Sequence, residues 1–262
     1  MWVKDSAGNK ATKEFAISLG LPATTLISAS TADVYTGKYW SGSSSISSND
    51  WPNSNLQNEL NDETNSTGYL YNLINNSNVD EKLSDLIARA RWQLGGANNT
   101  SSSNYYYQKV TASSAYTLER SPYATSGSLQ NRYSGNSYYT YAKVGLMHAS
   151  DYGYATTGGT NTSKATCRTT AIYNYDIATD CYNNNWIFTS QKTSWGSNKT
   201  EWLISPYSVN GTTAARLFST GNVNYNGTVN SSLSAVRPTM YLITDNLSLI
   251  GTGSLTNPYR IS

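Results

Sequence analysis

A run of aromatic and amide side chains in the last third of the chain offers the chemistry of recognition. Trp195, Tyr207, Asn210, Arg216, Phe218, Asn222, Asn224, Tyr225 and Asn226 fall on short strand-like stretches and the turns between them. Tyrosine and tryptophan supply rigid amphipathic contact area, and Asn, Ser and Gly supply adaptable hydrogen bonds, the combination used by antibody loops. The expected ligand-binding set is therefore Trp195, Tyr207, Asn210, Arg216, Asn222, Asn224, Tyr225 and Asn226. Strand geometry limits it, because alternate side chains point to opposite faces and about half must be structural. Phe218 is the expected core member. Trp202 and Arg237 are expected in the framework, with Arg237 pairing with a carboxylate or with carbonyls beneath the sheet.

Catalytic chemistry finds less to work with. His148 is the only histidine, and Asp151 follows three residues later. In a serine-rich chain a Ser-His-Asp set can always be assembled on paper, so the coincidence carries little. No Gly-x-Ser-x-Gly elbow is present. A glycosidase needs two facing carboxylates, and the densest acidic spot, Asp62 with Glu63, reads as the solvated end of a helix. Cys167 and Cys181 form no Cys-x-x-Cys pair, and one histidine cannot complete a zinc site with them. They are either a redox or metal pair or, as favoured here, a disulfide. That bond would close a loop of about 13 residues, worth on the order of 3 kcal/mol, and would imply an oxidising compartment. No catalytic residue, cofactor or metal ligand is assigned, and the expectation is a protein that is not an enzyme.

The elements that must position these residues follow from pattern and composition. Lys and Arg total 18 against 16 for Asp and Glu, so no electrostatic footprint for nucleic acid or an anionic membrane exists. Polar, weakly charged chains often fail to fold, but 22 tyrosines and 7 tryptophans bury large areas while keeping a polar handle. Asn53 or Ser54 is suited to cap a helix with Leu56 and Leu60 on one face, and Tyr69 to Leu73 reads as a second short helix. A third is expected from Asn78, with Asp80 and Glu81 at its positive end and Leu83, Leu86, Ile87 and Ala90 buried. A strand, Arg91 to Gly96, should leave it. Residues 97–141 read as a long loop region, and Val144 to Met147 as a buried strand. The chain then alternates short strands and turns: Glu201–Ile204, Ala214–Ser219, Asn222–Val229 and Ala235–Ile243. Helices early and strands late make an α+β pattern. No stretch is apolar enough to span a bilayer, and Met1 opens no signal pattern. An export-type composition without those segments suggests a fragment of a longer exported chain.

Several of these stretches together resemble a bacterial surface-protein domain family. Trp202-Leu203-Ile204-Ser205-Pro206 followed by Val236-Arg237-Pro238-Thr239-Met240-Tyr241-Leu242 is similar to its ending, and Trp51-Pro52-Asn53-Ser54-Asn55-Leu56 with Leu60-Asn61 to its opening. Ala115 to Arg120, Val144 to Met147 and Ser150 to Ala155 fall in family order between them, and Gly251 to Ser254 with Asn257-Pro258-Tyr259 resembles a closing hairpin of Gram-positive surface proteins. The resemblance covers residues 35–262. It implies a relative of the formylglycine-generating-enzyme type of C-type-lectin-like fold, with two or three helices, short antiparallel strands and long ordered loops. The same fold carries the variable proteins of diversity-generating retroelements, which implies a binding face open to diversification. Relatives carry Tyr where His148 stands, the paired cysteines of the enzymatic members are not matched by Cys167 and Cys181, and the Glu-Pro-Asn sugar-binding triplet of calcium-dependent lectins is missing. At the other end, Trp2 to Asp5 and Lys13 to Ile17 around Ser6-Ala7-Gly8-Asn9 resemble the last hairpin of a bacterial immunoglobulin-like repeat.

The expected organisation is thus a stalk end plus linker over residues 1–20 and a C-type-lectin-like binding domain over 21–262. Its expected role is an extracellular, adhesin-like module on a bacterial cell surface, with a protein or glycan ligand on a host, microbial or phage surface, and without nucleic-acid binding or direct membrane insertion. The alternative is a structural stalk domain with no specific ligand, and behind it stands a formylglycine-generating-type or hydrolytic enzyme. A clustered, exposed aromatic patch favours binding, whereas evenly scattered tyrosines favour the structural role.

Overall fold

The computed structural model describes residues 2–4, 10–12, 38–41, 48–75, 87–97, 106–121, 130–189, 199–231, 233–241, 249–250 and 260–261. The chain opens with β1 (Trp2–Lys4) paired antiparallel to β2 (Lys10–Thr12). The second strand comes earlier than the run 13–17 expected to form it, which lies outside the described residues, as does Gly20-Leu21-Pro22. A 3-10 turn at Trp51–Asn53 leads into α1 (Asn55–Asn61), and α2 (Tyr69–Ile74) follows. Ser54 caps α1, its hydroxyl accepting from the Gln57 N–H at 3.1 Å. Leu56, Leu60, Leu70 and Leu73 are buried, as a four-residue spacing on one face requires. The start of the helix expected at Asn78 lies outside the described residues. Its expected last member, Ala90, instead opens β3 (Ala90–Gln93).

Helix is more plentiful than the expected two or three segments. The stretch read as loop contains α3 (Ala112–Arg120), whose start is fixed by reciprocal capping between Thr111 and Ser114. After β4 (Tyr139–Ala142) and β5 (Val144–Leu146) come α4 (Ala149–Tyr154), α5 (Lys164–Thr169), α6 (Thr179–Asn183) and α7 (Trp186–Thr189). Cys167 on α5 and Cys181 on α6 form the expected disulfide, Cα–Cα 5.4 Å, with both residues wholly buried. They lie on two short helices rather than in a loop, and the Tyr175 hydroxyl ties the same corner, its one hydrogen lying between the Cys167 and Gly153 carbonyls at 2.9 and 3.1 Å.

The late strands fall where expected. β6 (Thr200–Pro206), β7 (Thr213–Phe218) and β8 (Val223–Thr228) form an antiparallel sheet in that order. β9 (Pro238–Met240) pairs with β5, β3 with β4, and β10 (Leu249–Ile250) with β11 (Arg260–Ile261). The residues expected to form the closing hairpin, 251–254 and 257–259, lie outside the described residues. The architecture is α+β with antiparallel pairing throughout the named strands.

The three-stranded sheet separates two cores, and its period of two decides which residue joins which. Trp202 and Ile204 of β6, with Ala214 and Val229, join Trp40, Trp51, Trp92 and the leucines of α1 and α2 on one side. Leu203, Ala215, Leu217, Val223 and Tyr225 join the disulfide, Tyr152, Tyr175 and Phe188 on the other. Every residue of β6 is buried because both its faces are covered and its remaining edge is too: Met147 and Ala235 carbonyls accept from Ile204 N–H at 3.0 Å and Trp202 N–H at 2.9 Å. Trp202 also donates its indole N–H to the Lys38 carbonyl at 2.7 Å, the framework role expected of it.

Candidate functional site

The residues expected to bind are not gathered on one face. Asn210 lies in the β6–β7 loop, where its side-chain oxygen accepts from Thr212 N–H and hydroxyl. Tyr207, in the same loop, is half-buried against the disulfide-side core. Asn222 sits at the other end of the sheet, in the β7–β8 turn that Gly221 allows by its φ of +90°, and its side chain accepts from Thr220 at 2.6 Å. Arg216, Asn224 and Asn226 do meet: the Arg216 guanidinium donates to Asn226 Oδ1 at 3.2 Å, and Asn224 Oδ1 accepts from Asn226 N–H at 3.1 Å. Arg216 also lies over Trp202 and beside half-buried Phe218, its guanidinium carbon 5.2 Å from the Phe218 ring centre. Tyr225, expected to face a ligand, is a core residue at 1% exposure. Alternation along β8 sends it to the face opposite Asn224 and Asn226. Asn224 is itself only 9% exposed. Trp195 lies outside the described residues.

His148 is held in a buried charge network rather than in a nucleophile–base pair. At 3% exposure its Nε2 lies 2.9 Å from the Gln93 carbonyl and its Nδ1 3.5 Å from Asp151. Asp151 also accepts from the His148 N–H at 2.8 Å, at the start of α4. Wholly buried Glu119 accepts from Ser205 Oγ at 2.8 Å, Ser150 N–H at 3.1 Å, Arg120 Nη1 at 3.1 Å and the Ser150 hydroxyl. Burial pushes the Glu119 carboxyl above the usual carboxylate range, against the opposing charges of His148 and Arg120. Burial also works against a charged His148, but the Asp151 contact and the Glu119 charge outweigh it and raise the imidazole above the ordinary histidine value. A serine nucleophile must donate to the imidazole; here both nearby serines donate to Glu119 and Nε2 faces a carbonyl. The network ties α3 to α4 and β6. Cys167 is spent in the disulfide. The Asp62 carboxylate accepts from Thr64 and Asn65 in the local turn, and Glu63 pairs with Lys143, so this acidic pair is the solvated helix end expected.

Two features went unread in the sequence. The first is the outward face of the β3–β4 ribbon. Register places Arg91 opposite Tyr141 and Gln93 opposite Tyr139, so these four share one face while Trp92 and Ala142 fill the core behind them. Tyr139 and Tyr141 are 41% and 51% exposed, with ring centres 5.6 Å apart. The Arg91 guanidinium lies 4.0 Å from the Tyr139 ring centre, and neighbouring Tyr138 stacks under Arg132 at 4.3 Å.

The second is a cleft of about 390 Å³ lined by Ser48, Asp50, Asn53, Tyr133 to Asn136 and Asn210 to Thr212. Its walls are bound together from beneath. Asn49, 1% exposed, sets the two N–H donors of its amide among the Tyr207, Asn210 and Thr213 carbonyls, all within 3.0 Å, and accepts from Asn136 at 2.7 Å. Asp50, 6% exposed, accepts from Ser137 N–H at 2.8 Å, Ser137 Oγ at 3.1 Å and Asn53 Nδ2 at 2.5 Å. Ser137 connects the cleft wall directly to the Tyr138–Tyr141 segment.

Among the described residues no three His, Cys, Asp or Glu side chains converge as a metal site, and no helix is long and apolar enough to cross a membrane. Compared with known proteins, the chain matches no family model, no curated protein and no solved structure.

Proposed function

We propose that this chain is an extracellular ligand-binding module of a bacterial cell surface, carried on a C-type-lectin-like fold, with residues 1–20 as the end of an immunoglobulin-like stalk. The observation that carries the reading is the exposed Arg91–Tyr139–Tyr141 face. Two aromatic rings side by side in solvent, braced by an arginine, cost a monomer solubility and serve as contact area for a ligand. Tyrosine and arginine are the residues most enriched at the centres of binding interfaces. The disulfide supports an oxidising, extracytoplasmic setting, and the near balance of charge argues against nucleic acid as the ligand.

The test is a screen of the intact chain on arrays of glycans and of host, bacterial and phage surface proteins. It is repeated with a Tyr139→Ala/Tyr141→Ala variant and an Asn210→Ala/Asn226→Ala variant. Loss of a specific hit in the first pair, with the melting temperature held, supports the ribbon as the contact face. Loss only in the second pair returns the site to the β6–β8 loops. No hit at all moves the chain to the structural stalk reading.

A further inference from the structure

We infer that the cleft between segments 48–53, 133–136 and 210–212 is a subsite for a neutral saccharide. This rests on reading the chain as a binding module, but not on the ribbon as its contact face. The cleft is built before any ligand arrives. Asn49 and Asp50 are buried polar side chains whose hydrogen bonds hold three separate chain segments in fixed relation, and a pre-shaped site loses less entropy on binding. Its 390 Å³ falls within the roughly 300–1,000 Å³ of small-molecule sites.

The lining chemistry selects the ligand class. Tyr133, 43% exposed as a residue, forms one wall, its ring seated on Gly211, where any Cβ would fall 2.6 Å from it. An open aromatic face suits the C–H side of a pyranose ring. Beside it stand the Ser48, Ser134 and Thr212 hydroxyls and the Asn53, Asn136 and Asn210 amides. Asn210 uses only its oxygen within the turn, which leaves its NH₂ donors to the cleft. Asp50 accepts three bonds and has about four lone-pair sites, so one acceptor position remains. Mixed donors and acceptors match sugar hydroxyls, each of which donates and accepts. Among the described residues no aliphatic side chain lines the cleft, which disfavours an apolar ligand or a peptide anchor. Asp50 is the only charged one among the described lining residues, so a phosphate or sugar acid would meet a carboxylate with no described cation to offset it.

The experiment is saturation-transfer NMR on the intact chain with the methyl glycosides of glucose, galactose, mannose and N-acetylglucosamine, and with methyl glucuronide. At least one neutral glycoside is expected to bind, and the glucuronide to bind more weakly. Tyr133→Ala should weaken binding about tenfold or more, the loss typical of truncating a central aromatic, and Tyr133→Phe should retain it. If Tyr133→Ala fails to fold, Ser134→Trp at an exposed position fills the cleft instead and should abolish binding. The inference is overturned if no neutral glycoside binds, if binding survives both cleft variants, or if the glucuronide binds as tightly. Saccharide binding lost only in Tyr139→Ala overturns the cleft assignment while sustaining the binding-module reading. A chain that captures a protein ligand but no saccharide does the same, and one that captures neither loses both.

Discussion

Glu201 and Arg237 form a 2.8 Å ion pair in which the carboxylate is only 1% exposed. Arg237 donates at the same time to the Ile187 carbonyl at 3.2 Å, so one guanidinium serves both one carboxylate oxygen and a carbonyl beneath the sheet. Removing it takes away the charge that offsets the burial of Glu201 and leaves the carboxyl and the Ile187 carbonyl without their donor. Arg237→Ala is expected to cost about 3–5 kcal/mol, read by urea unfolding at pH 8, where the parent carboxylate is ionised. A loss under about 1 kcal/mol would mean that water already reaches Glu201.

The same pair sets a pH dependence. Burial lifts the Glu201 carboxyl to about 7 despite Arg237. Because the folded value lies above the unfolded one, this contribution to stability is whole below pH ~4.5 and is lost as pH rises through about 7. Glu201→Gln does not titrate. Its stability relative to the parent should therefore improve between pH 5 and pH 8, by at most about 3 kcal/mol. Parallel unfolding curves at the two pH values decide it, and an unchanged difference sinks the assignment. His148 acts in the same direction, since its value is also raised: the stability it adds fades as pH climbs through that value. Nitrogen NMR should find both ring nitrogens protonated at pH 6.5, the ordinary midpoint, because one faces the Gln93 carbonyl and the other Asp151.

Reduction of the Cys167–Cys181 bond should remove on the order of 3 kcal/mol, the loop-closure value for about 14 residues. A Cys167→Ala/Cys181→Ala variant should lose at least that much, because both positions are fully buried and cavities add to the cost. Calorimetry with and without reductant gives the first figure. Identical melting in both conditions would show that the bond adds nothing to stability.

Neighbouring residues of β8 should separate cleanly under mutation. Tyr225 fills the disulfide-side core, so Tyr225→Ala should cost about 3–5 kcal/mol. Asn226 is exposed, and its side chain accepts from Arg216, so Asn226→Ala should cost less than about 1 kcal/mol. Equal losses at the two positions would contradict the strand's alternation.

What the sequence made legible was whatever repeats with a period and carries apolar weight. Leu56 and Leu60 marked α1, and the alternating runs after residue 200 marked β6, β7 and β8. Trp202 and Arg237 stood out as framework because a buried indole and guanidinium each need a partner. The helices α4 to α7 were not legible. Each spans four to six residues, too short for a helical stripe and too short to persist alone. They are held by the disulfide, by the Tyr175 hydroxyl and by the Glu119 network, which are pairings between distant residues. The ribbon was hidden differently. Tyr139 and Tyr141 face out while Thr140 and Ala142 turn inward, so the large residues lie on the wet side and reverse the usual signal.

Asn49 gives the most demanding prediction, because one amide holds one wall of the cleft to the rest. Its NH₂ group faces three backbone carbonyls, and its oxygen accepts from Asn136. Asn49→Asp keeps the shape and replaces both donors with acceptors, setting a carboxylate against three carbonyls at 1% exposure. An unpaired buried charge is expensive, so a loss of about 3–5 kcal/mol is expected. Asn49→Ala introduces no charge but takes a donor from the carbonyls and the acceptor from the Asn136 amide, and should cost about 1–3 kcal/mol. The location of the damage matters as much as its size. Amide hydrogen exchange in Asn49→Ala should speed up at Thr213, whose N–H donates to the Asn210 carbonyl, and at Tyr207, whose N–H donates to Thr213. The β7–β8 turn at the far end of the sheet should stay protected. Uniform loss of protection across the sheet would instead make Asn49 part of the global fold, and the cleft walls would then have no independent clamp.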